Sequence, residues 1–248
     1  MERTSDTIWD VVARWTEERP PSVQPGSSAD GDRGRCPNWD PFTAAWDAWQ
    51  GAVDHLEALG DLIERSRTLY TFALWSLLRV AIENAALSVW LLQPETSDER
   101  IQRRLRVAWG DWGDAADAEK CVGRREPGWG AEQRDRIKET GLRLDLDLSV
   151  ICGRWSWASV VREAGAVGEI ATPESAELMW RMCSGFAHAR EWTRIAWLDL
   201  EVSAPDTEGR VDVAMNSNRD RLYDVLFIAF DLATEARRQL NRRRLSWS

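Results

Sequence analysis

The sequence predicts a mostly all-α protein, a multi-helix bundle with one small β-hairpin near residues 193–215. Three observations support this fold class. Apolar residues recur at helical spacing from Ala45 to Ile63, a long apolar run covers residues 72–92, and Thr172 followed by Pro173 is a strong helix start. With 248 residues and 44% apolar residues, the chain can bury the core of one large domain or two small ones.

The first 41 residues differ in composition from the rest of the chain. Ile8, Val12 and Trp15 fall on one face of a short amphipathic helix. Residues 19–41 are rich in Pro, Gly, Ser and Asp, which cannot bury enough apolar surface to offset the cost of chain ordering. We therefore expect an N-terminal amphipathic arm at 1–18, a flexible linker at 19–41 and a helical domain at 42–248. The arm is expected to dock on the body or on a protein partner.

Three helices are predicted in the first half of the body. The first runs from about Phe42 to Ser66, and the second runs from about Leu69 to Leu92, where the following Pro94 stops it. The apolar run in the second is long enough to span a bilayer, but charged residues lie at its centre, so we expect a buried core helix and no membrane association. The third helix has Ser97 as its expected N-cap.

In the second half of the body, the helical periodicity is weak up to residue 168, and clearer helix and strand signals follow. Glycines interrupt residues 113–168, where "GAEQRDRIKETGLRL" is one expected helix ending at Gly141. A well-capped helix is then predicted from Pro173 to Arg190. The apolar segments on either side of "SAPDTEG" predict the hairpin. A final helix is expected to start with Asn216 or Ser217 as its cap.

Charge and composition limit the classes of function. The formal net charge of −9 repels polyanions at long range, so any contact with RNA or DNA must be local. Four cysteines without a C-x-x-C pair and two histidines supply no structural zinc signature, and no Gly-rich phosphate loop is present, so we expect no metal and no cofactor. The start "MERTSDTIWD" lacks the features of a secretory signal, so we expect a cytoplasmic protein with reduced thiols.

The segment "LMWRMCSGFAHAR", residues 178–190, contains one of the two histidines. A separation of seven residues returns a helical side chain to within about 20° of its starting direction. Arg181, Ser184, Gly185 and His188 therefore share one face of the predicted helix. On the second helix, Arg79 and Glu83 have the i, i+4 spacing of an intrahelical salt bridge.

In these residues the chain resembles the HEPN family of compact α-helical domains, which often carry an R-x(4–6)-H motif late in a helix. Arg181 to His188 has the six-residue spacer, and Arg79-x3-Glu83 looks like the polar pair that some members place beside the motif. The helical outline covers about residues 42–244. The chain departs from the active pattern at Met182, where a polar residue is common in the family.

The resemblance implies metal-independent RNA cleavage or RNA binding, of a toxin or phage-defence type, in a homodimer. Such cleavage needs a base for the ribose 2′-hydroxyl proton and a cation for the charge on the phosphate. The candidate catalytic residues are His188, Arg181 and Ser184, and the candidate supporting residues are Arg79 and Glu83. Gly185 would let the backbone or a second subunit approach closely. Pairing of Glu83 with Arg181 would satisfy both buried charges.

One alternative stays open at this point. His188 beside Trp180 and Phe186 is also typical of a hydrogen-bonded packing residue, and the chain would then be a catalytically inactive helical protein-interaction module. His55 has no convergent acid or cysteine around it, and we expect it to be structural. Cys183 lies five positions before His188, which points the two side chains to different sides of a helix and disfavours a Cys–His dyad.

Overall fold

The computed structural model describes residues 7–123 and 128–246. Eleven α-helices and one two-stranded antiparallel sheet form this part of the chain, which confirms the predicted fold class. The helices are α1 (Ile8–Thr16), α2 (Ser28–Arg35), α3 (Pro41–Gly60), α4 (Ala73–Leu92), α5 (Ser97–Cys121), α6 (Trp129–Arg143), α7 (Leu148–Ile151), α8 (Trp157–Gly165), α9 (Pro173–Ala187), α10 (Glu191–Trp197) and α11 (Arg219–Arg244). A 3₁₀ turn (Pro37–Trp39) precedes α3, and a π-helical segment (Asp61–Arg65) follows it.

The predicted hairpin is formed by β1 (Leu198–Val202) and β2 (Val213–Ser217). Leu198 pairs with Ser217 and Val202 pairs with Val213. The alternating apolar residues flank the polar "SAPDTEG" loop, as the sequence predicts. The short helix α10 directly before β1 was not predicted.

The chain forms two compact units, which do not follow the predicted division into arm, linker and helical domain. Unit 1 comprises residues 1–19, 48–87 and 160–235, and unit 2 comprises residues 20–47, 88–159 and 236–248. The unit boundaries fall within four helices, α3, α4, α8 and α11. Apolar periodicity identifies the buried face of a helix but not which elements cover it, so the sequence pattern indicates one continuous helical body.

Part of the predicted flexible linker at 19–41 is helical, and this expectation is corrected. Ser27 caps α2 by accepting a hydrogen bond from the Asp30 backbone N–H. Within unit 2, Asp32 pairs with Arg100 of α5, and Cys36 and Trp39 belong to the apolar cluster of that unit. The amino-acid composition did not predict that this segment is ordered, because one buried ion pair and two apolar side chains are enough to order a stretch that is otherwise polar.

The core of unit 2 is an apolar cluster between α5, α6 and α7. Its fully buried members include Ile101, Leu105, Ile137 and Ile151, and partly buried tryptophans pack against it.

Helix α5 begins one residue earlier than the predicted cap implies. The Thr96 side chain accepts a hydrogen bond from the Glu99 backbone, so the N-cap is Thr96 and not the predicted Ser97.

The N-terminal arm forms the predicted amphipathic helix and packs within unit 1. Val12 and Trp15 of α1 are buried. The Trp15 ring stacks on Phe230 with 5.2 Å between centroids and lies 5.9 Å from the ring of Trp49. The apolar face of the arm is therefore covered by the chain itself.

Helix α4 is the apolar run that could span a membrane by length and composition. Two thirds (67%) of its most apolar window is buried inside the structure. At its C-terminus in unit 2, the Arg243 guanidinium donates to the carbonyls of Leu92, Gln93 and Pro94, which lack partners within the helix.

Candidate functional site

Helix α9 of unit 1 carries the R-x6-H motif, and local and tertiary contacts both position its start. Thr172 and Ser175 form a reciprocal capping box, and Pro173 occupies the first helical position. The buried Asp231 carboxylate accepts hydrogen bonds from the backbone N–H groups of Glu169, Ile170 and Ala171 just before the cap. The loop before α9 is thereby fixed to α11.

The end of α9 presents His188 at the C-cap. Ala189 follows in the left-handed conformation, with φ of 53°. The Ala189 N–H donates to Phe186 and the Arg190 N–H donates to Gly185, which is the Schellman pattern of a helix end. An alanine in this conformation costs about 1 kcal/mol because its Cβ crowds the backbone. The turn redirects the chain into α10 directly beside the histidine.

Gly185 permits a close approach between α9 and α10 of the same chain. A Cβ added at Gly185 would lie 2.1 Å from the Thr193 methyl carbon and 3.1 Å from its Cβ and Oγ1. We expected Gly185 to allow a close approach by the backbone or by a second subunit, and in the structure Thr193 of the same chain makes that approach. Thr193 is fully buried, and its hydroxyl donates to the Arg190 carbonyl.

We expect Gly185→Ala to lower the free energy of unfolding by about 1–3 kcal/mol, because the new methyl forces α10 away from α9. Gly34→Ala is the matched control, since an added Cβ on this α2 glycine meets nothing within 4 Å. There the exchange is expected to raise stability by about 0.5–1 kcal/mol. Urea unfolding of both variants measures the difference, and equal stabilisation by the two alanines would contradict the packing argument.

A chain of polar contacts links the predicted supporting residues to the motif histidine. Arg79 Nε donates to Glu83 Oε1 at 2.9 Å, and Arg79 Nη1 lies 3.1 Å from His188 Nε2. A guanidinium can only donate, so Nε2 is the acceptor of this hydrogen bond. The structure therefore brings Arg79, Glu83 and His188 together.

Glu83 has a second partner that sequence reasoning missed. The Trp180 indole N–H donates to the same Glu83 Oε1 at 2.8 Å. Glu83 is buried, and its Oε1 accepts from two donors, one from its own helix and one from α9. Trp180 lies one residue before Arg181, so the bond holds the motif face of α9 in register with α4.

Arg181 does not pair with Glu83, and that expectation is corrected. Its guanidinium instead binds Glu177 one turn earlier, with Nε–Oε1 of 2.8 Å and Nη2–Oε1 of 2.7 Å. The hydrogen bond from Arg181 holds the pKa of Glu177 below its usual range, although partial burial opposes this. The carboxylate is thus ionised at neutral pH. The i, i+4 spacing of Glu177 and Arg181 was a visible signal for this contact.

Arg181, Ser184 and His188 line one surface cavity of about 220 Å³. Trp180, Gly185, Arg190 and Trp192 complete its lining. Trp192 is 50% exposed, and it is held in place because the next residue, Thr193, packs on Gly185. Sequence reasoning missed Arg190 and Trp192, since both lie beyond the left-handed turn at Ala189, where helical spacing no longer predicts direction.

The remaining candidates have structural roles. His55 Nδ1 lies 2.7 Å from the Gly51 carbonyl of its own helix. Cys183 is fully buried, and burial raises the pKa of its thiol far above its usual range, so the thiol stays protonated at neutral pH. A protonated buried thiol is a poor nucleophile, which agrees with the expectation that no Cys–His dyad forms.

Over residues 7–123 and 128–246, no group of three or more His, Cys, Asp or Glu side chains is arranged to hold a metal ion. Comparison with known proteins identifies no relative: no protein-family model, no curated protein and no solved structure matches the chain.

Proposed function

We propose that the protein binds RNA at the cavity of α9 and cleaves it without a metal ion, in the manner that its resemblance to HEPN domains implies. The observation that supports this most directly is the contact between Arg79 and His188 Nε2 beside a cavity that both His188 and Arg181 line. An imidazole nitrogen that accepts a hydrogen bond can also accept a proton, as a general base must.

In this mechanism His188 removes the proton from a ribose 2′-hydroxyl, whose oxygen then attacks the adjacent phosphorus. The P–O5′ bond breaks, which leaves a 2′,3′-cyclic phosphate, and the departing 5′-oxygen takes a proton from water. To remove the hydroxyl proton, His188 Nε2 exchanges the Arg79 donor for the hydroxyl. The released Arg79 nitrogen and the Arg181 guanidinium stabilise the negative charge that builds up on the phosphate oxygens. Ser184 is placed on the same wall to donate to a phosphate oxygen. Glu83 holds Arg79 and acts through it.

The cavity also has features that suit a single-stranded polynucleotide. Trp192 offers a half-exposed indole, on which an unpaired base can stack, and Arg190 adds a local positive charge. The net charge of −9 disfavours RNA at long range, but it does not prevent binding at this cavity. Short-range contacts between local arginines and phosphates are little affected by distant surface charges, because salt screens those charges.

The wider context comes from the resemblance alone. We propose a cytoplasmic protein of a toxin or phage-defence kind that acts as a homodimer. Because Gly185 is covered by Thr193, the cavity rim rather than the glycine would face the second copy.

A catalytically inactive protein-interaction module is the second candidate. Helix α10 supports it, since Trp192 and Ile195 are 50% and 61% exposed, and exposed apolar side chains of this size are common at protein interfaces. The arm is less suited to bind a partner, because Val12 and Trp15 are buried within unit 1.

Incubation of the purified full chain with a mixed single-stranded RNA pool in EDTA tests the proposal. We expect cleavage that leaves 2′,3′-cyclic phosphate ends, since the 2′-oxygen is the nucleophile. A DNA pool of the same sequences is the matched control and must remain intact, because it lacks that hydroxyl. Absence of both cleavage and salt-dependent RNA binding would reject the proposal and favour the interaction module.

A further inference from the structure

A cavity of unit 2 lies apart from the motif and has a distinct chemistry. Its volume is about 620 Å³, within the range of about 300–1,000 Å³ typical of small-molecule sites. Helix α5 forms its floor with Gly110, Gly113, Asp114 and Asp117, whose spacing of i, i+3, i+4 and i+7 places them on one helix face. At Gly113 an added Cβ would lie 3.7 Å from Arg134 Nη1, so this guanidinium packs against the floor.

Tryptophans form the walls of this cavity. Trp155 and Trp157 meet edge to face with 5.0 Å between ring centroids and 63° between ring planes. Gly110 allows Trp155 to lie against α5, since an added Cβ would be 3.1 Å from the indole nitrogen. Trp109 provides a third indole, and the Arg134 guanidinium covers it at 3.6 Å from the ring centroid. That ring thus already binds a cation of the chain.

The carboxylates at this site differ in their partners. Among the described residues, Asp114 makes no hydrogen bond or ion pair, whereas Asp117 binds Lys120 at 2.7 Å. Burial raises the pKa of Asp111, and the charge of the nearby Arg104 opposes this. A carboxylate beside an indole ring favours a cation, because the negative potential of the ring face adds to the charge of the carboxylate. Arg134 and Arg154 also line the cavity, and Arg134 directs its charge at Trp109.

From this combination we infer that the cavity of unit 2 binds a small organic cation, a protonated or quaternary amine, between the Trp155–Trp157 pair and the Asp114 carboxylate. The donor set favours an organic cation over a metal ion. Within the described part of the chain no three acidic, histidine or cysteine groups are arranged to hold a metal ion, whereas indole faces stabilise alkylammonium groups, which are weakly hydrated. The inference does not depend on the RNA-cleaving function.

Choline is a suitable probe, and 3,3-dimethylbutan-1-ol is its neutral isostere of the same shape. In a titration of the full chain followed by ¹H–¹⁵N NMR of the indole N–H signals, choline is expected to shift a few of the sixteen tryptophan signals saturably. The neutral isostere is expected to bind at least about tenfold more weakly, which corresponds to the loss of one cation–π and charge interaction. Equal affinity of the two compounds, or no saturable shift with choline, would overturn the inference.

Asp114→Asn removes one charge at nearly constant volume and is expected to weaken choline binding by about tenfold. Asp135→Asn is the matched control, because Asp135 is exposed, lies outside the cavity and pairs only loosely with Lys138 at 3.8 Å. The Asp135→Asn variant is expected to bind choline with the same affinity as the unaltered protein. Trp157→Leu keeps an apolar wall but removes the ring, and unchanged choline affinity in it or in Asp114→Asn would contradict the proposed site.

Discussion

Arg181→Ala and His188→Ala are each expected to reduce metal-independent RNA cleavage by about 10²–10⁴-fold, because one variant loses the phosphate-binding cation and the other loses the base. The double variant is expected to be little slower than either single one, since the two groups act in one step. Single-turnover cleavage of a labelled RNA in EDTA measures all three rates.

Stability must be measured beside these rates. Arg181 is exposed and its ion pair with Glu177 lies at the surface, so its removal is expected to cost less than about 1 kcal/mol. Arg162→Ala is a matched control, since Arg162 binds the same Glu177 but does not line the cavity. Cleavage that survives in His188→Ala, or that is lost equally in Arg162→Ala, would contradict the assigned roles.

Asp32→Ala is expected to lower the free energy of unfolding by about 3–5 kcal/mol, because it leaves the Arg100 guanidinium buried without its counter-charge. Asp32 and Arg100 are 2% and 3% exposed, and they form a bidentate pair with Nε–Oδ2 of 2.6 Å and Nη2–Oδ1 of 2.9 Å. The buried Arg243 lies close enough for its pKa to be lowered, first by burial and then by the charge of Arg100. Loss of Asp32 would leave these two cations with one exposed carboxylate, Glu95.

Urea or thermal unfolding measures this effect. Arg35→Ala is the matched control, since Arg35 of the same helix α2 pairs with Asp98 at the surface, and its loss is expected to cost less than about 1 kcal/mol. Hydrogen exchange of the α2 amides gives a second measurement. Unchanged protection of α2 and an unchanged unfolding midpoint in Asp32→Ala would mean that the buried pair does not hold this segment.

The contacts of α9 show which interactions the sequence can predict and which it cannot. Thr172, Pro173 and the acidic first turn predict the start of α9 correctly, because capping is a contact between residues three positions apart. The same short range makes the Arg79–Glu83 pair predictable, since both residues lie on one helix face. The bond from Arg79 to His188 joins residues 109 positions apart, and no local pattern specifies it.

The direction of the chain after α9 lay beyond sequence reasoning. Helical spacing places Gly185 on the motif face but does not reveal that Thr193 of the next helix covers it. The left-handed Ala189 is the cause, because alanine gives no sign of this conformation and periodicity is lost across it. No pattern in the sequence therefore predicts that Arg190 and Trp192 line the cavity.

The sequence by itself determined the helical class, the hairpin and the faces of the helices, because these depend on hydrogen bonds and side-chain directions within a few residues. Only the tertiary structure decided that α2 is ordered, that Arg181 binds Glu177 rather than Glu83, and that His188 receives Arg79. The physical reason is that a charged side chain takes whichever partner packing brings within about 3 Å, and packing depends on all the elements of a unit together.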